Sequence, residues 1–140
     1  MIFCVFGLLE RRFLQLETLE NIVKQSSFIG IVAVGITLVL LTGGIDLSVG
    51  SNMYLSAVVG GLLIKNYGAP IWVGLAACLL VGTIFGAINA LAVTRLKIVP
   101  FVVTLSTLVA GRGIGLLLTK SHAVPFPEAV TDVGKMRFAG

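Results

Sequence analysis

The chain has 140 residues, of which 57% are hydrophobic and 11% charged, and its mean hydropathy is +1.09. This composition excludes a soluble globular domain. The net charge of +4 comes from scattered lysines and arginines, which disfavours nucleic-acid binding and suits contact with anionic membrane lipids. Several uncharged runs approach the length of a membrane helix, about 20 residues. We therefore predict an all-α fold, a polytopic transmembrane helical bundle that forms one domain over residues 1–140.

Residues 10–27 differ from the rest of the chain because charged and apolar side chains alternate there at roughly helical spacing. The pattern predicts an amphipathic helix that lies on the membrane surface. Thr18 is expected to be the N-cap of its second part, with Asn21 in the position that a glutamate or glutamine takes in a capping box.

Four hydrophobic spans are predicted after this segment, followed by a polar extramembrane tail. The spans cover about residues 28–41, 49–64, 71–93 and 100–118, and the tail covers residues 119–140. The third span contains Gly82 and Gly86, a small-xxx-small motif that predicts close packing within the chain. The fourth is expected to be interrupted at Gly111-Arg112-Gly113.

A glycine-rich helix break near residues 42–51 separates the first two spans. Asp46 or Ser48 is expected to cap the second span. Two helices that meet at such a break form either the discontinuous-helix substrate site of transporters or a tight loop between two spans, and the sequence favours neither. The glycines assigned to the break, which accept left-handed backbone angles, are Gly43, Gly44 and Gly50.

Polar side chains within or beside the apolar runs are candidates for a substrate path. The structural alternatives are favoured: capping for Asp46, which is compatible with a path role, snorkelling to the membrane interface for Arg112, and hydrogen bonds between helices for the amides and hydroxyls. No nucleophile–base pair or metal-ligand set is present in the sequence, so we expect neither an enzyme nor a metal site. The candidate path residues are Asp46, Ser48, Asn52, Asn89, Thr104, Thr107 and Arg112.

The chain resembles a known family over most of its length. The run of residues 35–51, centred on Gly-Gly-Ile-Asp-Leu-Ser, is similar to the most recognisable motif of the membrane permeases of bacterial ABC importers for simple sugars. That family covers ribose, xylose and galactose importers and includes autoinducer-2 importers. Residues 13–25 and 86–105 resemble two further segments of these permeases, and Thr107 and Gly111-Arg112-Gly113 continue the match.

The resemblance implies a permease that lies in the bacterial inner membrane and imports a monosaccharide. Its implied partners are a second permease copy, a cytoplasmic ABC ATPase, a periplasmic sugar-binding protein and membrane lipids. ATP is expected on the ATPase, and no cofactor is expected on this chain. The chain has about half of the family's usual spans, so an incomplete permease is expected. The alternative is a truncated structural or regulatory membrane fragment that assembles with a permease without transporting.

The resemblance also implies an orientation, with residues 94–97 in the cytoplasm and the tail in the periplasm. Counting lysines and arginines on each side gives the opposite orientation. The two arguments leave the topology open.

Overall fold

The structure is a computed structural model that describes residues 16–123, with side chains described from Thr18 onward. Between these limits the chain forms helices and connecting segments and no strand, which confirms the predicted all-α fold. The helices are α1 (Leu16–Leu41), α2 (Val49–Tyr67), α3 (Ile71–Thr94) and α4 (Pro100–Thr119). By length and composition, α1 from Thr18, α3 and α4 could each cross a membrane.

The chain divides into two compact units, residues 1–44 and residues 45–140. In the first unit, α1 runs without interruption across residue 27, where the sequence predicted a boundary between a surface helix and a span. No glycine or proline occurs from residue 16 to residue 29, so nothing stops a helix from propagating. Thr18 lies inside α1, and the predicted N-cap there was wrong. Residues 10–15 of the predicted amphipathic segment lie outside the described part.

The break between α1 and α2 covers residues 42–48. Gly43 has a φ of +75°, and its N–H donates to the carbonyl of Leu40, while Gly44 N–H donates to that of Val39. These bonds satisfy carbonyls that the end of α1 would otherwise leave free. Gly50 lies inside the first turn of α2, so its predicted place in the break was wrong. Helical geometry resumes directly after Ser48. Gly50 can be helical because a helix tolerates a single glycine at modest cost.

In the second unit, α2 packs against both α3 and α4. It runs antiparallel to α3, and the two backbones lie close together at two glycines. A Cβ added to Gly60 would lie 2.9 Å from the carbonyl oxygen of Gly74 and 2.5 Å from Cys78 Sγ. A Cβ on Gly74 would meet the side chain of Ile64 at 2.5 Å. Glycine is therefore required on both sides of this crossing.

The contact between α2 and α4 uses the glycines of α4, and the two helices run parallel. A Cβ added to Gly111 would lie 3.1 Å from the ring of Phe85 and 3.2 Å from Cβ of Ser51. One turn further on, a Cβ on Gly115 would overlap the ring of Tyr54. The helix continues through Gly111-Arg112-Gly113, so the interruption predicted there was wrong.

Gly82 and Gly86 do not make the close contact predicted for them. A Cβ added at either position would meet nothing within 4 Å among residues 18–123. The Gly82 and Gly86 motif forms a face of α3 that permits close approach of another helix. However, α2 crosses α3 at Gly74 instead. A periodic small-residue pattern cannot show which of several permissive faces a neighbour uses.

The distribution of side chains is that of a membrane bundle. The buried residues of the second unit include several small or polar ones, such as Ser48, Ser51 and Thr104. Large apolar side chains on α3 point outward and recur every three or four residues, as a lipid-facing surface requires. They include Leu75, Leu79, Leu80, Ile84, Ile88 and Leu91.

Candidate functional site

Asp46 is held at the start of α2 by two short hydrogen bonds. Its Oδ1 accepts the backbone N–H of Ser48 at 2.7 Å and the Ser48 hydroxyl at 2.6 Å. Ser48 occupies the N-cap position of α2, but its own side chain makes no capping bond. The carboxylate is half-buried and closes the turn that leads into α2.

Ser48 also connects the break to α3. Its hydroxyl proton is donated to Asp46, so Ser48 Oγ accepts from Nδ2 of Asn89 at 2.8 Å. Ser48 and Asn89 are 2% and 9% exposed. Because the amide nitrogen must face Ser48, Oδ1 of Asn89 faces elsewhere, and it has no partner among the described residues. This oxygen is a buried acceptor with spare capacity.

Thr104 connects the break to α4. Its buried hydroxyl lies 3.1 Å from the carbonyl of Ile45 and 2.9 Å from that of Pro100, one turn back in its own helix. The hydroxyl shares its proton between the two acceptors. The break is therefore bonded to α3 through Ser48 and to α4 through Ile45, in keeping with the cost of leaving backbone groups unpaired in an apolar layer.

The other candidate path residues are not part of this cluster. Asn52 Nδ2 lies 3.5 Å from the carbonyl of Gly82, and Asn52 Oδ1 lies 3.4 Å from the hydroxyl of Ser56. Both contacts are long for hydrogen bonds. Thr107 is half-buried and bonds within its own helix, at 3.2 Å to the carbonyls of Val103 and Thr104.

Arg112 lies apart from the other candidates, on an exposed position of α4. It lines an open groove of about 360 Å³ together with Gly50, Tyr54 and Leu116. A second groove of about 340 Å³ shares Tyr54 and Leu116 and extends to Thr119, Ser121 and His122. Sequence reasoning missed Tyr54. The spacing of four between Gly50 and Tyr54 places both on one helical face, but no local pattern indicates that Arg112 lies opposite.

The structure thus divides the predicted residues into two groups. Asp46, Ser48 and Asn89 are joined by hydrogen bonds, and Thr104 bonds the carbonyl of Ile45 beside them; these four residues are the cluster at the break. Arg112 lines a separate groove. No set of three metal-ligating side chains occurs in the described part of the chain. Apolar helices that enclose bonded polar groups at a helix break define a class of protein, the multi-pass helical membrane protein of the transporter type.

Comparison with known proteins agrees with this class. Residues 18–134 match the family described as "Branched-chain amino acid transport system / permease component". Because this match covers more than half of the sequence, the chain belongs to that permease family. Membership of this family and the three apolar helices together identify the chain as a multi-pass protein of the inner membrane. No solved structure matches the chain significantly.

The curated relatives are permease proteins of import systems. The autoinducer 2 import system permease of Escherichia coli K12 is 40% identical over 119 residues, which are 85% of this chain and 34% of the relative. The fructose import permease of Bifidobacterium longum is 34% identical, covering 83% of this chain and 34% of the relative. The ribose import permease of Haemophilus influenzae is 32% identical, covering 89% and 38%. The chain thus spans little more than a third of the length of these relatives.

Proposed function

We propose that the chain is the transmembrane permease component of an ATP-driven importer that moves a monosaccharide, such as ribose or a related pentose or hexose, across the bacterial inner membrane. One observation carries the proposal: most of the chain aligns with permeases named for ribose, fructose and autoinducer 2 import. The substrate named for each relative belongs to that relative.

The cluster at the break supports a transport role through its construction. It places a carboxylate, a hydroxyl and an amide inside an otherwise apolar bundle and bonds them to one another. Such groups are costly in lipid. They are therefore retained where they stabilise a non-helical stretch of backbone or face a pathway. In this proposal, ATP hydrolysis occurs on a separate cytoplasmic ATPase, a periplasmic binding protein delivers the sugar, and a second permease copy completes the membrane part.

Co-purification from membranes tests the proposed assembly. The tagged chain is expressed with a candidate ABC ATPase, a candidate sugar-binding protein and a full-length permease from the same source, extracted in mild detergent and captured. We expect the ATPase to be retained in a fixed ratio to the chain. Capture of a permease without the ATPase would instead favour the alternative role, a structural or regulatory fragment that does not transport. Capture of neither protein would contradict the proposal.

A further inference from the structure

The two grooves beside α4 have mostly apolar walls that carry a few polar side chains, and the cluster at the break uses neither groove. They share Tyr54 and Leu116, so they are adjacent along the line between α2 and α4. Their volumes, about 340 and 360 Å³, are each at the small end of those that hold a small molecule. The polar side chains along them are Tyr54, Arg112, Thr119, Ser121 and His122.

Arg112 lies deep within the span rather than at its end. The neighbouring Gly111 is level with Phe85 of α3, as the contact of its added Cβ shows. At 1.5 Å per residue, Phe85 is about 21 Å of helix from Ile71 and about 13 Å from Thr94. The backbone of Arg112 is therefore inside the layer that α3 crosses. A charged side chain at such depth normally faces a partner, water or a pathway.

No protein partner neutralises Arg112 in the described part of the chain. Its guanidinium makes no ion pair or hydrogen bond to residues 18–123. The single carboxylate among residues 45–123 is Asp46, which is bonded to Ser48. The five N–H donors of the guanidinium therefore have no acceptor among the described residues, and Arg112 lines the groove.

We infer that Arg112 and Tyr54 bind two adjacent hydroxyl groups of a monosaccharide as it passes α4, an inference that rests on the proposed function. The guanidinium presents parallel N–H donors in a rigid fork, which can pair with two neighbouring oxygen acceptors. The ring of Tyr54 offers an apolar face for the C–H groups of a sugar, and its phenolic hydroxyl can bond a hydroxyl group of the sugar. Ser121 and His122 supply further hydrogen-bonding groups where the second groove begins.

Stabilising the break and binding a solute are thus assigned to different residues, which the sequence had placed in one group. The cluster of Asp46, Ser48, Asn89 and Thr104 holds the break closed through bonds already made within the protein. The Arg112 groove has donors that are still free, so it is the place where a solute gains hydrogen bonds. Ligand selectivity is therefore expected to follow Arg112 and Tyr54 rather than Asp46.

Sugar protection of an introduced cysteine tests the inference in membranes. Leu116→Cys places a thiol in both grooves, in a chain where Cys4 and Cys78 are replaced by serine. Val109→Cys, on an exposed position of the same helix outside the grooves, is the matched control. A charged, water-soluble thiol reagent is applied with D-ribose, D-fructose or inorganic phosphate. We expect one of the sugars to slow labelling at position 116 and not at position 109.

Adding Arg112→Gln to the Leu116→Cys chain tests the assigned contact directly. Loss of a charge-assisted hydrogen bond should raise the half-protecting sugar concentration by about tenfold or more. Arg112→Lys keeps the charge but not the forked pair of donors. Its half-protecting sugar concentration should therefore lie between those of the Arg112 and Arg112→Gln chains. Labelling at position 116 that neither sugar slows, equal protection in Arg112→Gln, or protection by phosphate in place of sugar would overturn the inference.

The same membranes, supplied with the ATPase and binding protein, separate this inference from the proposed function. Sugar uptake without protection at position 116 would leave the permease role standing and remove the Arg112 site. Protection without uptake would support the site and contradict the transport role.

Discussion

At the scale of single residues, Asp46 and Ser48 explain how a polar break is tolerated beside apolar spans. Ser48 is the shared member, because its hydroxyl donates to Asp46 and accepts from Asn89. Its position at 2% exposure leaves no water to replace either bond. The two side chains are expected to respond differently to substitution.

Asp46→Asn and Asp46→Ala separate the geometry of the side chain from its charge. The amide oxygen of asparagine can accept the same two bonds from Ser48, whereas alanine removes both acceptors. We expect Asp46→Ala to lower the free energy of unfolding by about 1–3 kcal/mol and Asp46→Asn to cost less than half as much. Thermal unfolding in detergent measures both. Equal losses for the two variants would show that the charge itself, rather than the accepted bonds, stabilises the break.

Ser48→Ala leaves the amide of Asn89 and the carboxylate of Asp46 without their common partner. The expected loss is about 1–3 kcal/mol, because the buried amide of Asn89 loses its partner and the half-buried carboxylate of Asp46 keeps only the bond from the backbone N–H of residue 48. Ser106→Ala is the matched control, since Ser106 is exposed on α4 and bonds the carbonyl of Val102 in its own helix. The control should change stability by less than about 0.5 kcal/mol. A similar small effect for Ser48→Ala would contradict the role of the cluster.

At the scale of the helices, glycine positions determine how closely α2 approaches its neighbours. Gly60 and Gly74 set the crossing with α3, and Gly111 and Gly115 set the contact with α4. Small side chains allow dispersion contacts along the whole crossing, which is the main attraction between helices in lipid. These positions should therefore differ sharply from glycines that face open space.

Gly60→Ala tests the crossing of α2 and α3. Its Cβ would lie 2.9 Å from a backbone carbonyl oxygen, so the helices must separate. We expect a loss of about 1–3 kcal/mol, as for other overpacked interiors. Gly86→Ala should be neutral or stabilising by up to about 1 kcal/mol, because its Cβ meets nothing and alanine favours helix. Thermal unfolding measures the stability of both variants. Equal changes in Gly60→Ala and Gly86→Ala would contradict a crossing of α2 and α3 at Gly60.

Gly115→Ala links packing to the groove. Its Cβ would overlap the ring of Tyr54, which lines both grooves, so the ring must move. Gly113→Ala, on the same helix with nothing near its Cβ, is the control. We expect Gly115→Ala to alter labelling of the Leu116→Cys thiol by several-fold, and Gly113→Ala to leave it unchanged. Identical labelling in both would place the Tyr54 ring away from α4.

At the scale of the whole molecule, much of the fold could be predicted because helix termination is local. The prolines and glycines that end or begin helices, such as Gly43 and Pro100, act within a few residues of their own position. Thr18 was misjudged because a capping pattern and a helix interior look alike when no breaker follows. Contacts between helices could not be predicted, because Gly60 and Gly82 look equivalent until the neighbouring helix is in place.

The site was predictable in part for the same reason. Sequence identified Asp46 and Ser48 because the break is local, and Asn89 and Thr104 because polar groups are rare in apolar spans. It could not show that these four share one cluster while Arg112 lies elsewhere. That division depends on α2 running parallel to α4 and antiparallel to α3, which only the packed bundle reveals.

The most direct test of the permease role is sugar uptake in cells that lack their own permease. The chain is expressed with its ATPase and binding protein, and accumulation of radiolabelled D-ribose and D-fructose is followed over time. We predict accumulation of one of these sugars that requires ATP and is lost when the chain is omitted. Absence of accumulation of either sugar, from a chain that is inserted in the membrane and retains the ATPase, would contradict the account.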